Sequence, residues 1–254
     1  MSSLILGGTV FLCLFGAAMF GMWLKSRLPD HHLSAESKDA IRLATAVVGT
    51  LSALALGLLI ASAKSTYDSA ETELKTSVGR VLLLDRVMAH YGPDTDAARN
   101  LLRQLVLARL KQGWGYAGND EVAIDIAIDN TGIEPVQDLL RSLSPATDAQ
   151  RWLQSRALEV SGQIAEAHWM LVETGSEGLP WAFLAILVFW LVLLFATFGL
   201  LAPGNPTVVA TLLVCSLSVA GAVFLIVDMA YPYLGLVYVS DAPLREALDE
   251  LERK

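Results

Sequence analysis

The sequence predicts an all-α integral membrane protein with four transmembrane helices and a helical extramembrane insert between spans two and three. The chain of 254 residues is 54% hydrophobic and only 17% charged, whereas about a quarter of the residues in soluble domains are charged. The apolar residues are concentrated in four runs of about 20 residues, the length that a helix needs to cross the hydrocarbon core. The segment between the second and third runs is polar and has the periodicity of amphipathic helices.

Each apolar run lacks Asp, Glu, Lys and Arg in its interior. Arg42 and Asp228 lie at run ends, where a polar group can reach water, and Trp23, Trp181 and Tyr231 lie at span edges, where aromatic residues are enriched. We expect the first run to be retained as a span rather than cleaved as a signal peptide, because no positive charge precedes it. The four runs are residues 3–24, 41–63, 181–202 and 207–230.

The runs divide the chain into four parts. Residues 1–63 hold spans one and two with a short loop, 64–180 form the helical extramembrane domain, 181–230 hold spans three and four, and 231–254 form a tail with a short amphipathic helix. The first helix of the insert is expected to continue out of span two and to stop at Gly92-Pro93. In the stretch 121–129, apolar residues alternate as in a strand while acidic residues recur as on a helix, so both interpretations stay open.

Four spans place both termini and the insert on one side of the membrane. Positive charge in the first loop, from Lys25, Arg27 and Lys38, weakly favours a cytoplasmic loop and an external insert.

Span two carries a stripe of small residues at spacings of three and four. Small residues let another helix approach closely, which is how helices associate in lipid. One interpretation is that this stripe and the neighbouring hydroxyl residues line an oligomeric pore, and the other is ordinary packing inside one subunit. The candidate residues for pore lining or helix packing are Thr45, Gly49, Ser52, Ala53, Gly57, Ala61 and Ser62.

Charged and titratable residues flank this span on both sides. Lys64 and Asp68 are four residues apart and can pair on one helix face; in a symmetric assembly they would form charged rings at a pore mouth. The alternative is an interfacial pair with no role in conduction. His31 and His32 in the first loop are candidate pH sensors, because imidazole titrates near neutrality, or simply solvated loop residues.

Several classes of function are disfavoured by composition and motifs. A net charge of −8 supplies no basic stripe for a nucleic acid. The sequence has no Gly-x-Ser-x-Gly elbow, no His-Glu-x-x-His motif and no phosphate-cradling glycine motif. We therefore predict no enzymatic activity, no catalytic or metal-binding residues and no cofactor.

Seven short motifs along the chain resemble those of a bacterial bestrophin-like membrane protein family, which is distantly similar in layout to the bestrophin channels. The resemblance covers nearly the whole chain. Its motifs are specific for the family, but they say little about an activity. The motifs are Leu28-Pro29-Asp30-His31-His32-Leu33, Gly57-Leu58-Leu59-Ile60-Ala61-Ser62-Ala63-Lys64-Ser65, Leu83-Leu84-Asp85-Arg86, Tyr91-Gly92-Pro93, Phe189-Trp190, Phe198-Gly199-Leu200-Leu201-Ala202-Pro203 and Ser240-Asp241-Ala242-Pro243-Leu244-Arg245.

The resemblance implies a pentameric channel with four spans per subunit and a cytosolic helical domain between spans two and three. A cytosolic insert disagrees with the distribution of positive charge, which favours an external one. The side of the membrane on which the insert lies therefore stays open. The sequence also departs from animal bestrophins, since it has no acidic calcium-clasp run and no aromatic neck triplet in span two. Calcium gating and anion selectivity are therefore not carried over.

The function predicted from the sequence is a homo-oligomeric ion channel or pore with span two nearest the pathway. Its expected partners are the lipid bilayer, small inorganic ions and further copies of the chain, and its expected location is the bacterial inner membrane. The rival hypothesis is a non-conducting membrane protein whose insert binds a partner or senses the envelope.

Overall fold

The computed structural model describes residues 3–29, 34–113, 132–174, 181–233 and 236–252. These residues are helical, without any strand, and they form two compact units, one of residues 1–67 and 178–238 and the other of 68–177 and 239–254. The helices are α1 (Ser3–Arg27), α2 (Ala35–Tyr91), α3 (Asp96–Gly113), α4 (Glu134–Ser142), α5 (Asp148–Thr174), α6 (Trp181–Leu201), α7 (Pro206–Met229) and α8 (Ala242–Glu252), with a 3₁₀ turn at Pro93–Thr95.

Four of these helices are long and apolar enough to span a membrane, which confirms the predicted fold class. They are α1, α2, α6 and α7. Both α6 and α7 agree with the apolar runs to within a residue at each end. The second helix differs most, because it begins at Ala35 and continues without a break to Tyr91, for 57 residues.

In the first unit, α1 packs against α6 through backbone contact. A Cβ atom added to Gly21 would overlap the carbonyl oxygen of Ala196 and lie 2.8 Å from the Leu200 nitrogen, and one added to Gly199 would overlap the carbonyl oxygen of Ala18. Only glycine allows this approach, and the close crossing gives the dispersion contacts that associate helices in lipid. Next to it, Ala18 is fully buried.

Polar contacts fix the two ends of this unit. At one end, Lys25 Nζ donates to the Ala202 carbonyl, 2.8 Å away, just beyond the last residue of α6. At the other end, Ser3 Oγ donates to Asp228 Oδ1, 2.5 Å away. The start of α1 therefore lies beside the end of α7, so these two helices are antiparallel, as four successive crossings require.

The second unit is built around the C-terminal part of α2. Leu84 and Met88 on α2 pack with Leu102 of α3, Val136 of α4 and Val160 of α5, all of them buried. The helix ends where the sequence predicts, at Gly92, whose φ of 121° is disfavoured for other residues. Thr95 Oγ1 then donates to the carbonyl of Met88, 2.6 Å away, and satisfies one of the last carbonyls of the helix.

One ion pair joins α2 to α3 inside this unit. Arg99 donates to both carboxylate oxygens of Asp85, with Nε–Oδ1 2.7 Å and Nη2–Oδ2 3.0 Å. The hydrogen bond to Asp85 raises the pKa of the Arg99 guanidinium above its ordinary value. A bidentate pair of this kind fixes the register of two helices as well as their separation.

The C-terminal helix α8 is a packed part of the second unit. Its apolar face, predicted from the spacing of leucines, buries Leu244, Ala247 and Leu251 in the same core. Arg86 on α2 pairs with Glu250, and Arg103 on α3 donates to the Leu251 carbonyl. The tail is therefore bound along its whole helical length.

Candidate functional site

The membrane part of α2 is the least packed of the four spans. Only 11% of its most apolar window is buried within the subunit, against 28%, 33% and 28% for α1, α6 and α7. Ser52, Leu59 and Ala63 lie on the narrow buried face. The remaining faces of this span are not buried by any part of the subunit that the structure describes, and they are the candidate functional surface.

This exposed surface has two strips of different character, each at helical spacings of three and four. The large-residue strip exposes long apolar side chains, with Leu54 64% and Leu58 62% exposed. The small-residue strip is exposed as well but has almost no side-chain bulk. The large-residue strip consists of Val47, Leu51, Leu54 and Leu58, and the small-residue strip of Ala46, Thr50, Ala53, Gly57 and Ala61.

Three of the seven candidates from the sequence lie on or next to the packed face. Ser52 is 2% exposed and donates to the Val48 carbonyl, and Thr45 donates to the Ile41 carbonyl. A Cβ added to Gly49 would lie 3.8 Å from Leu194 Cδ2 of α6, an ordinary contact. Both hydroxyl groups are thus bonded to their own helix on the side that faces neighbouring spans.

The other four candidates are exposed. Ala53, Gly57 and Ala61 lie together on the small-residue strip, and a Cβ added to Gly57 would lie more than 4 Å from any neighbouring element that the structure describes. Ser62 is exposed but lies outside this strip, by its position on the helix. Packing inside the subunit accounts for Gly49 and Ser52, and it leaves the small-residue strip unexplained.

The predicted pore-mouth charges continue the line of the strip. Lys64 follows Ala61 by three residues and Asp68 follows Lys64 by four, and both are exposed. The Lys64 ammonium lies 5.3 Å from the centre of the Tyr67 ring, a cation–π contact. The charged ring stays a prediction. The pH-sensing candidates His31 and His32 and the acidic stretch 121–129 lie outside the described residues.

Asp228 has a role that the sequence interpretation missed. Expected at the membrane surface, it is instead 1% exposed and accepts hydrogen bonds from Ser3 Oγ and from the backbone nitrogens of Leu236 and Val237, at 2.5, 3.1 and 2.7 Å. The available signal was an acidic residue in the last turn of an otherwise apolar span, since an ionisable residue within a span marks a functional or structural site by default.

Metal ligation has no support in the part of the chain that the structure describes. There, no three His, Cys, Asp or Glu side chains are grouped so that they could hold an ion.

The first unit contains four apolar helices that are long enough to span a membrane, and the second unit is helical. The protein therefore belongs to the class of integral membrane proteins, with a large helical domain between its second and third spans. Residues 12–244 match the family model of the Bestrophin-like domain, so the chain belongs to the bestrophin-like family. No curated protein and no solved structure matches the chain.

Proposed function

We propose that the protein is a homo-oligomeric ion channel of the bacterial inner membrane, with small inorganic ions as its substrates and α2 nearest the pathway. Bestrophins, whose layout is similar, suggest five subunits. The observation that carries the proposal is the low burial of α2, 11% against 28% or more for the other spans.

The two exposed strips of α2 suit different surroundings. Long side chains such as Leu54 and Leu58 fill the space beside acyl chains, so the large-residue strip is suited to lipid or to another apolar helix. The small-residue strip offers little surface for lipid to contact but allows close approach by a second backbone or leaves room for water. In a symmetric assembly with copies of α2 around one axis, small residues on this strip would leave space for water along that axis.

A pathway formed by copies of the small-residue strip would be narrow, polar in places and free of deep binding groups. Thr50 presents a hydroxyl oxygen that keeps lone pairs while its proton bonds to the Val47 carbonyl, 2.8 Å away. Lys64 and Asp68 extend the line towards one mouth, where rings of charge select ions by sign. Conduction needs such weak, repeated contacts rather than one tight site.

The test is the current across a planar bilayer that holds the purified protein under a KCl gradient. Wild type is expected to conduct, and Gly57→Leu is expected to assemble normally but to conduct at least about tenfold less, because the pathway narrows by an isobutyl group from every subunit. Gly16→Leu is the matched control, since Gly16 also lies in a span and a Cβ there also meets nothing within 4 Å. Equal currents in the two variants would remove this face of α2 from the pathway.

One observation favours the second candidate function, a non-conducting protein that binds a partner through its helical domain. Between α2 and α5 lies a groove of about 580 Å³ lined by apolar side chains and the edges of Arg86 and His90. Trp152 in this groove is 66% exposed, and exposed tryptophan is typical of binding hot spots. A silent bilayer with assembled wild-type oligomers, together with a binding partner lost in Trp152→Ala, would favour this function.

A further inference from the structure

The segment that follows the last span is held by Asp228. Asp228 Oδ2 accepts from the Val237 nitrogen at 2.7 Å, and Oδ1 accepts both from the Leu236 nitrogen at 3.1 Å and from Ser3 Oγ. Asp228 is almost fully buried, so its hydrogen bonds to these protein donors take the place of hydration. A buried carboxyl group with this set of partners is costly to leave unbonded, which makes the attachment strong.

The same segment is attached to α2 one residue further on. Tyr67 Oη donates to the carbonyl of Tyr238, 3.2 Å away. Residues 236–238 thus bond to Asp228 at the end of α7, which also holds Ser3 at the start of α1, and to the helix that carries the candidate functional surface. Tyr67 lies six residues beyond Ala61, where the small-residue strip ends.

We infer that residues 236–238 form a strap that joins α2 at Tyr67 to the ends of α1 and α7, with Asp228 as its anchor. The mechanical link stands on these contacts alone, and its effect on current rests on the proposed channel function. Release of the Asp228 attachment or of the Tyr67 attachment breaks this connection, so α2 loses its polar tie to the ends of α1 and α7 while the apolar core of the four spans is kept. Asp228 is a positioning residue in this device and contacts no ion.

The test is hydrogen–deuterium exchange of the full-length protein in lipid nanodiscs. Asp228→Asn keeps the size of the side chain but replaces one acceptor oxygen by an amide donor, so the amides of Leu236 and Val237 should exchange on the order of tenfold faster. Asp241→Asn is the matched control, because the Asp241 carboxylate bonds to Arg245 instead of the strap. Unchanged exchange at Leu236 and Val237 in Asp228→Asn would overturn the anchor.

A milder variant tests the attachment to α2 should Asp228→Asn fail to fold. Tyr67→Phe removes the hydroxyl group that donates to the strap, so it should speed amide exchange at residues 238–240. Tyr238→Phe removes a hydroxyl group from the strap itself and should leave exchange unchanged, because only the backbone carbonyl of Tyr238 accepts the bond from Tyr67. Equal exchange in the two phenylalanine variants would overturn the link to α2.

Conductance then tests the consequence for α2. Asp228→Asn and Tyr67→Phe should change the open probability in the same direction, and the double variant should go no further than the larger single change, because both release one strap. Independent, additive changes would contradict a shared strap. A silent wild type would reject the channel proposal, whereas the strap would still be decided by the exchange rates.

Discussion

Glycine has opposite surroundings in α1 and α2, although both helices are apolar spans of one unit. Gly21 in α1 lies against the backbone of α6, where an added Cβ would overlap a carbonyl oxygen. At Gly57 in α2, no atom of the described segments lies within 4 Å of such a Cβ. One glycine closes a contact within the subunit, and the other leaves a surface open.

The difference shows that a small residue acquires its role from what lies opposite it. Gly21 and Gly199 are opposed by a backbone, so they set the distance between two helices. Ala53, Gly57 and Ala61 are exposed in the part of the subunit that the structure describes, so a constraint on their size is expected from outside the subunit. Substitutions by alanine and leucine therefore separate the two roles.

The largest effect is expected at the α1–α6 crossing. Gly199→Ala forces a Cβ into the Ala18 carbonyl and should destabilise the protein by on the order of 3 kcal/mol, because a backbone cannot move aside as a side chain can. Thermal unfolding of the purified protein in detergent should show a clearly lower Tm, and Gly21→Ala should behave alike. An unchanged Tm would mean that the helices separate at little cost.

A smaller effect is expected at Gly7, where α1 meets α7. An added Cβ would lie 3.0 Å from Phe224 Cβ, a contact that a shift of a few tenths of an ångström relieves. Gly7→Ala should therefore cost about 1 kcal/mol, at the low end of the range for overpacking. The same thermal assay should place its Tm between those of wild type and Gly199→Ala.

The smallest effect on subunit stability is expected on α2. Gly57→Ala should change the free energy of unfolding by less than about 0.5 kcal/mol, since the new methyl group has nothing within 4 Å among the described residues. Gly16→Ala, equally open on α1, is the control. If Gly57→Ala alone weakens the oligomer on size-exclusion chromatography, the small-residue strip forms a close contact between subunits.

Much of the fold could be predicted because its causes are local in sequence. Apolar runs of fixed length identify the spans, and the repeat from Ala70 to Met88 predicts that α2 continues beyond the membrane as an amphipathic helix. Gly92-Pro93 ends that helix for backbone reasons that hold in any context. The leucine spacing of α8 likewise needs no knowledge of its partner.

The site was only partly predictable, because it depends on which residues meet. The importance of the small residues of span two stays a prediction, and the sequence could not separate Ser52, which is buried, from Ala53, which is exposed. Gly21 and Gly199 carry no distinctive spacing, so their crossing was missed. Asp228 was expected at the membrane surface because its backbone donors, Leu236 and Val237, lie beyond the end of α7. The periodicity of a helix cannot predict where such residues lie.

The most direct measurement compares two neighbouring residues of α2, one on each strip. In a background with Cys13 and Cys215 replaced by alanine, Ala53→Cys and Leu54→Cys are each treated with a charged, water-soluble thiol reagent during bilayer recording. A pathway along the small-residue strip predicts that the reagent removes most of the current through Ala53→Cys and leaves Leu54→Cys unchanged. Block of Leu54→Cys with Ala53→Cys unaffected would contradict it.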